Sequence, residues 1–92
     1  MAVLASVAMD LVNDKAANRA KMDGYIEKAA VQHADLILFP ELALGGLPVN
    51  PMFTFSPDDA KYQHEVAELV PEGDSTKHFI EMAKKHDIYI GW

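Results

Sequence analysis

The sequence predicts an α/β domain in which about three mainly parallel strands alternate with three helices. Short apolar runs without polar alternation are typical of strands in parallel sheets, whose two faces are both covered. Segments with helical spacing or helix-start signals separate these runs. A strand, a helix and a second strand in this order indicate right-handed βαβ crossovers.

The predicted strands are residues 2–9, 35–39 and 87–92. The first two contain no period-two alternation, so we expect both of their faces to be buried. Pro40 follows the second strand and cannot donate to a strand ladder. We therefore expect this strand to end at Pro40 and to present Glu41 at its carboxyl end, where open parallel sheets bind their ligands.

The first predicted helix lies between the first two strands. Asn13 or Asp14 is its candidate cap, and the helix runs to about His33. Gly24 weakens its centre. Its apolar positions at helical spacing are Met22, Ile26, Ala29 and Ala30.

Two further helices are predicted before the third strand. Ser56 is the candidate cap of the second, which begins with Pro57, Asp58 and Asp59 and runs to about Leu69. We expect burial at Ala60, Val66, Ala67 and Leu69. The third helix follows the breakers Pro71 and Gly73, with Asp74 or Ser75 as its cap. Its apolar face contains Phe79, Met82, Ala83 and His86.

Composition limits the classes of partner. The 92 residues make one domain at most, and a formal net charge of -6 argues against nucleic acid and anionic membranes. The chain contains no cysteine, which excludes disulfides and a thiol nucleophile of its own. Its apolar start is too short to span a bilayer and lacks the features of an export signal, so we expect a cytoplasmic location.

Several polar residues have a structural and a functional interpretation. His64 and Glu68 are four residues apart and could bind a metal, but a solvated helix face is the favoured interpretation. His33, His78 and His86 fall near helix ends or starts, and we do not expect any of them to be catalytic. His86 follows two lysines and is most simply explained as a C-terminal residue that complements the helix dipole. Gly45 and Gly46 lack the motif of a phosphate-binding loop and indicate a tight turn near Glu41.

One segment carries a family resemblance. The run Ala-Asp-Leu-Ile-Leu-Phe-Pro-Glu-Leu-Ala-Leu at residues 34–44 is followed by Gly46 and Pro48, preceded by the first strand and by Asn18, and followed later by residues 82–90. Together these elements resemble the amino-terminal part of the nitrilase superfamily of carbon-nitrogen hydrolases. The resemblance implies a four-layer αββα sandwich, of which this chain supplies a part.

The resemblance implies a role for Glu41. In the superfamily the glutamate at this position is the general base of a Glu-Lys-Cys triad that hydrolyses small-molecule amides or nitriles, without a cofactor or a metal. Phe53 and Phe55 lie in a loop that would border the substrate pocket. The family's lysine and cysteine lie beyond the matched stretch, and the lysines of this chain, Lys61, Lys77, Lys84 and Lys85, are outside the expected motif.

Two local departures affect the pocket loop. The family often has an aromatic residue at the position of Leu47 and a residue other than glycine at the position of Gly45. These differences bear on the substrate pocket and on the conformation of the loop that follows Glu41.

Two functional hypotheses follow. In the first, residues 1–92 are an incomplete, truncated hydrolase domain that is inactive alone, because only the Glu of the triad is present. The resemblance implies a second sheet that this chain lacks, which would leave one apolar sheet face uncovered. An uncovered face of this kind would favour a homo-oligomer or pairing with a complementary fragment. In the second, the chain is a non-catalytic α/β interaction module that self-associates through this face.

Overall fold

A computed structural model of the chain describes residues 1–46 and 57–92. The elements within these residues are β1 (Leu4–Ser6), α1 (Lys15–Val31), β2 (Leu36–Leu38), α2 (Pro57–Val66), α3 (Asp74–His86) and β3 (Tyr89–Gly91). The strands form one parallel sheet in the order β1-β2-β3. The predicted α/β class is therefore confirmed.

The sheet is shorter than the apolar runs that predicted it. Each strand has three residues, although the predicted strands covered up to eight. Ala5, Ile37 and Ile90 occupy one register line across the three strands. The ladder continues briefly past the strands, since the Val7 N–H donates to Leu38 O at 2.9 Å.

The sheet is covered on one face only. Ile37 is 1% exposed and packs in a core formed with α1 and α3. On the opposite face Leu4, Leu38 and Tyr89 are 67%, 46% and 79% exposed. When parallel strands lie in a sheet in their sequence order, right-handed crossover connections all lie on the same side of the sheet. The opposite side then receives no helix from these connections. The expectation of burial on both faces is therefore wrong, whereas the expected uncovered apolar face is present.

Helix α1 agrees closely with its prediction. Asp14 is the N-cap, and its Oδ1 accepts a hydrogen bond from the Ala17 N–H at 3.0 Å. The helix ends at Val31, and His33 follows in a left-handed conformation with φ of 61°. Met22 and Ile26 are fully buried. Of the remaining predicted apolar positions, Ala29 is buried and Ala30 is half-buried.

Helix α2 differs from its prediction. It ends at Val66, three residues before the predicted end, and Val66 is half-buried. The other three positions for which burial was predicted, Ala60, Ala67 and Leu69, are exposed. Among the described residues, α2 contacts other parts of the chain mainly through the polar side chains of Tyr62 and Gln63. The positions of its apolar residues therefore did not predict its packing. Its predicted cap, Ser56, lies outside the described residues.

Helix α3 has the predicted apolar face and a different cap. Gly73 occupies the N-cap position with an extended backbone and no side-chain hydrogen bond, and Asp74 lies in the first turn. Ser75, the other predicted cap, is buried and bonded to Glu68. The residues on the predicted face are buried or half-buried: Phe79, Met82, Ala83 and His86.

Helices α1 and α3 lie side by side on the covered face of the sheet. His78 on α3 bridges both carboxylate oxygens of Asp23 on α1, with distances of 2.7 and 2.9 Å from Nε2. The Phe79 ring packs against Trp92, at 4.9 Å between centroids. None of the helices in the described ranges is both long and apolar enough to cross a bilayer.

Candidate functional site

Glu41 lies in a turn at the carboxyl end of β2. The Phe39 N–H donates to Gly91 O at 2.9 Å, the last sheet bond before Pro40. The Ala43 N–H donates to Pro40 O at 3.2 Å, so the chain reverses around Glu41. The Glu41 side chain is exposed at this edge of the sheet. A carboxylate here can meet a ligand without first moving out of the core.

The turn uses two left-handed residues. Leu42, directly after Glu41, has φ of 59°, and Gly46 has φ of 87°. Between them the Gly46 N–H donates to Leu42 O at 2.8 Å. A left-handed conformation is unfavourable for a bulky side chain and is often found at functional sites. At Gly46 a Cβ would collide with the carbonyl oxygen of Val12, so this position requires glycine.

Asn18 on α1 joins the Glu41 turn to the segment that follows β1. Its side chain is fully buried. Its Nδ2 donates to Val12 O at 2.7 Å and to Leu44 O at 3.0 Å, and its Oδ1 accepts from the Val12 N–H at 3.1 Å. The carboxamide thereby pairs with backbone groups from two separate loops.

Helix α2 holds the same turn from another side. The Tyr62 hydroxyl donates to Gly45 O at 2.6 Å, and the Gln63 Nε2 donates to Gly46 O at 3.2 Å. Burial raises the pKa of the Tyr62 hydroxyl above its ordinary value, and the charge of Asp14 adds to this rise. Tyr62 therefore remains a protonated donor at neutral pH.

A second polar cluster joins α1, the end of α2 and the start of α3. Lys15 Nζ contacts Glu68 Oε2 at 2.5 Å and donates to Val66 O at 2.9 Å. Glu68 also accepts hydrogen bonds from the Ser75 backbone N–H at 2.7 Å and from Ser75 Oγ at 2.5 Å. The Glu68 side chain is only 16% exposed.

The surroundings of Glu68 favour its charged form. Burial is the largest single influence and by itself would raise the pKa of this carboxyl. The hydrogen bonds from Lys15 and Ser75 and the charge of Lys15 together outweigh burial, and the pKa falls from 4.5 to about 2. The folded chain thus holds Glu68 as a carboxylate over most of the acidic range.

The remaining candidates are dispersed. His64 is exposed, and Glu68 lies beyond the end of α2 and pairs with Lys15, so the two do not share a helical turn. Lys61 and Lys84 pair with neighbouring glutamates at 3.8 and 3.5 Å. Within residues 1–46 and 57–92 no group of three or more His, Asp or Glu side chains could hold a metal ion. Phe53, Phe55, Leu47 and Pro48 lie outside the described residues.

The sequence contained a signal for one contact around the turn. Asn18 precedes Met22 and Ile26 by four and eight residues, so it shares their buried helix face. A polar side chain on such a face must find hydrogen-bond partners. Tyr62 and Gln63 gave no comparable signal, because α2 lacks a clear apolar face and its docking depends on the tertiary arrangement.

Comparison with known families identifies the family of the chain. The family model described as Carbon-nitrogen hydrolase matches residues 3–91, almost the whole chain. The chain belongs to the carbon-nitrogen hydrolase family. A search among curated proteins found no significant match. Membership of this hydrolase family confirms the superfamily resemblance, and it associates the chain with hydrolysis of carbon-nitrogen bonds.

Replacement of Gly46 tests the geometry of the turn. Gly46→Ala should lower the free energy of unfolding by about 2 kcal/mol or more, through the left-handed backbone and the collision with Val12 O. The matched control is Gly24→Ala on α1, where an added Cβ meets nothing within 4 Å. That control should raise stability by about 0.5 to 1 kcal/mol. Denaturant unfolding of both variants measures the difference, and equal stability of Gly46→Ala and the unmodified chain would contradict the turn geometry.

The Glu68 cluster predicts an acid-sensitive contribution to stability. Because the pKa of Glu68 is lower in the folded chain, its contribution is complete above about pH 5 and disappears as the pH falls toward about 2. Glu68→Gln should cost about 1 to 3 kcal/mol at neutral pH and flatten this part of the pH profile. The control is Glu81→Gln, an exposed residue on α3. Parallel pH-stability curves for Glu68→Gln and the unmodified chain would refute the assignment.

Proposed function

We propose that residues 1–92 form the amino-terminal part of an amidase- or nitrilase-type domain and supply Glu41 as its general base. The substrate class is a small molecule with a non-peptide carbon-nitrogen bond. The observation that carries this proposal is an exposed glutamate in a tightly bonded turn at the carboxyl edge of a parallel sheet, within a chain of the carbon-nitrogen hydrolase family. Open parallel sheets bind ligands at this edge.

The proposed chemistry needs a group that activates a thiol. A free thiol has a pKa of about 8.5 and becomes an effective nucleophile at neutral pH when a neighbouring group accepts its proton or stabilises the thiolate. The Glu41 carboxylate would accept that proton as the sulfur attacks an amide or nitrile carbon. The carboxyl would return this proton to the substrate nitrogen, so that an amide releases ammonia or an amine and leaves an acyl thioester. In the second half of the reaction the carboxylate would accept a proton from the water that attacks the thioester carbon, and this proton would return to the sulfur as the carbon-sulfur bond breaks and the acid leaves.

The other two members of the triad would come from elsewhere. The chain has no cysteine, so the thiol would belong to another part of the polypeptide or to another chain. Lys61 and Lys84 lie outside the family's lysine motif, and each makes an exposed contact with a glutamate on its own helix. We therefore propose that these 92 residues alone do not hydrolyse amides or nitriles.

The base can be tested in a chimera. Residues 3–91 would replace the matching segment of an active carbon-nitrogen hydrolase that retains its own lysine and cysteine. Glu41→Gln should lower kcat for amide hydrolysis at least about 100-fold, the scale of one general base. Glu27→Gln, an exposed position on α1, is the matched control and should leave kcat unchanged. An active chimera that is indifferent to Glu41→Gln would disprove the proposed role. Hydrolysis by the isolated chain that Glu41→Gln abolishes would disprove the proposed inactivity of these 92 residues.

A second candidate function rests on a different surface. Leu4, Leu38 and Tyr89 form an exposed apolar face on the three-stranded sheet, which we call the open sheet face. Exposed apolar surface and unpaired strand edges favour association. The second candidate is a non-catalytic interaction module in which two copies of the chain associate through their open sheet faces.

Self-association predicts a concentration-dependent mass. Sedimentation velocity across the micromolar range should show a defined oligomer of the isolated chain, and Leu4→Gln should shift it toward monomer because it places a polar amide on the open sheet face. Leu69→Gln is the matched control, since Leu69 is 77% exposed, against 67% for Leu4, but lies in the connection between α2 and α3. A monodisperse, folded monomer at every concentration would rule out the interaction module. A broad mixture of sizes would favour the hydrolase part instead.

A further inference from the structure

We propose that Asn18 and Tyr62 are positioning residues that hold the Glu41 turn in one conformation. The inference deepens the proposed function, because it rests on Glu41 being the general base. Three successive carbonyl groups of the turn each accept a hydrogen bond from a different side chain. Leu44 O accepts from Asn18, Gly45 O from Tyr62 and Gly46 O from Gln63. We call these three contacts the carbonyl clamp.

The clamp compensates for the irregularity of the turn. Its internal bonds are those from the Ala43 N–H to Pro40 O and from the Gly46 N–H to Leu42 O. Among residues 1–46 and 57–92, the carbonyls at 44, 45 and 46 accept no backbone hydrogen bond, so the three side chains are their hydrogen-bond donors there. Leu42 adds an unfavourable left-handed backbone next to Glu41. A turn of this kind keeps one shape only when its surroundings determine it.

The side chains of the carbonyl clamp come from two different helices. Asn18 belongs to α1 and also binds both backbone groups of Val12, so it relates the turn to the segment after β1. Tyr62 belongs to α2 and approaches the next carbonyl along the chain. Contacts from two helices restrict both translation and rotation of the turn.

This restriction matters for a base. A catalytic group must be held within about 0.5 Å of its productive position. A displacement of about 1 Å can reduce the rate about 100-fold. Glu41 itself is exposed, so its side chain receives little restraint from packing. The position of the Glu41 carboxylate therefore depends mainly on the conformation of the turn backbone.

Amide hydrogen exchange of the isolated chain tests the clamp directly. Tyr62→Phe removes one hydroxyl and keeps the ring. The Ala43 and Gly46 amides of the turn should then exchange about 3- to 10-fold faster, the loss expected for one neutral hydrogen bond. The amides of Ile37 in β2 and Phe79 in α3 should keep their exchange rates. Tyr25→Phe on α1 is the matched control and should change none of these rates.

Asn18 is tested by an isosteric change. Asn18→Asp keeps an acceptor for the Val12 N–H but removes the donor to Leu44 O and Val12 O. The turn amides should exchange faster than in Tyr62→Phe, because two carbonyls lose their donor and face a negative charge. If Asn18→Asp does not fold, Tyr62→Phe decides the question. Turn amides that keep wild-type exchange rates, or a uniform acceleration that includes Ile37 and Phe79, would overturn the inference.

Activity of the chimera separates this inference from the proposed function. Tyr62→Phe should lower kcat about 3- to 10-fold with KM nearly unchanged, because the base is displaced while substrate contacts remain. Suppose that Glu41→Gln abolishes activity and that Tyr62→Phe changes neither kcat nor the exchange of the turn amides. The positioning role of the clamp is then wrong, and the role of Glu41 as general base is supported. If turn exchange responds but Glu41→Gln has no effect on kcat, the clamp holds the turn and the proposed function is wrong.

Discussion

The buried carboxamide of Asn18 is the contact on which the arrangement of the site depends. It has no exposure to solvent, and both of its polar atoms are paired with backbone groups. A buried amide without partners would be costly, so the loops after β1 and β2 must both come to it. Gly46 fits this constraint, since a side chain there would collide with the Val12 carbonyl that Asn18 also binds. Sequence-distant loops are thus brought together by one side chain on α1.

The covered and open faces of the sheet have different consequences. The covered face holds Ile37 against α1 and α3 and provides the hydrophobic contribution to stability. The apolar side chains of the open sheet face remain exposed, so they contribute little to the stability of the isolated chain. The Glu41 turn stands at the carboxyl edge between these faces. Its shape depends on polar contacts from α1 and α2 more than on the hydrophobic core.

Sequence reasoning succeeded where the cause is local. Asp14 caps α1 because its side chain can reach an N–H three residues later, and Pro40 ends the ladder because it has no N–H to donate. It failed at α2, where Ala60, Ala67 and Leu69 are exposed although burial was expected. It also failed at Ser75, because the hydroxyl that suited a cap is instead bonded to Glu68. Both errors concern which neighbour a residue meets, and local pattern does not contain that information.

The sequence by itself determined the α/β class, the position of Glu41 after a strand and the family resemblance, because these follow from periodicity, from proline and from a contiguous motif. Only the tertiary structure decided that the sheet is covered on one face and that Asn18, Tyr62 and Gln63 meet three successive carbonyls. These contacts join residues between 17 and 26 positions apart. Their geometry depends on how the helices pack. The ability of these side chains to form hydrogen bonds does not by itself specify that packing.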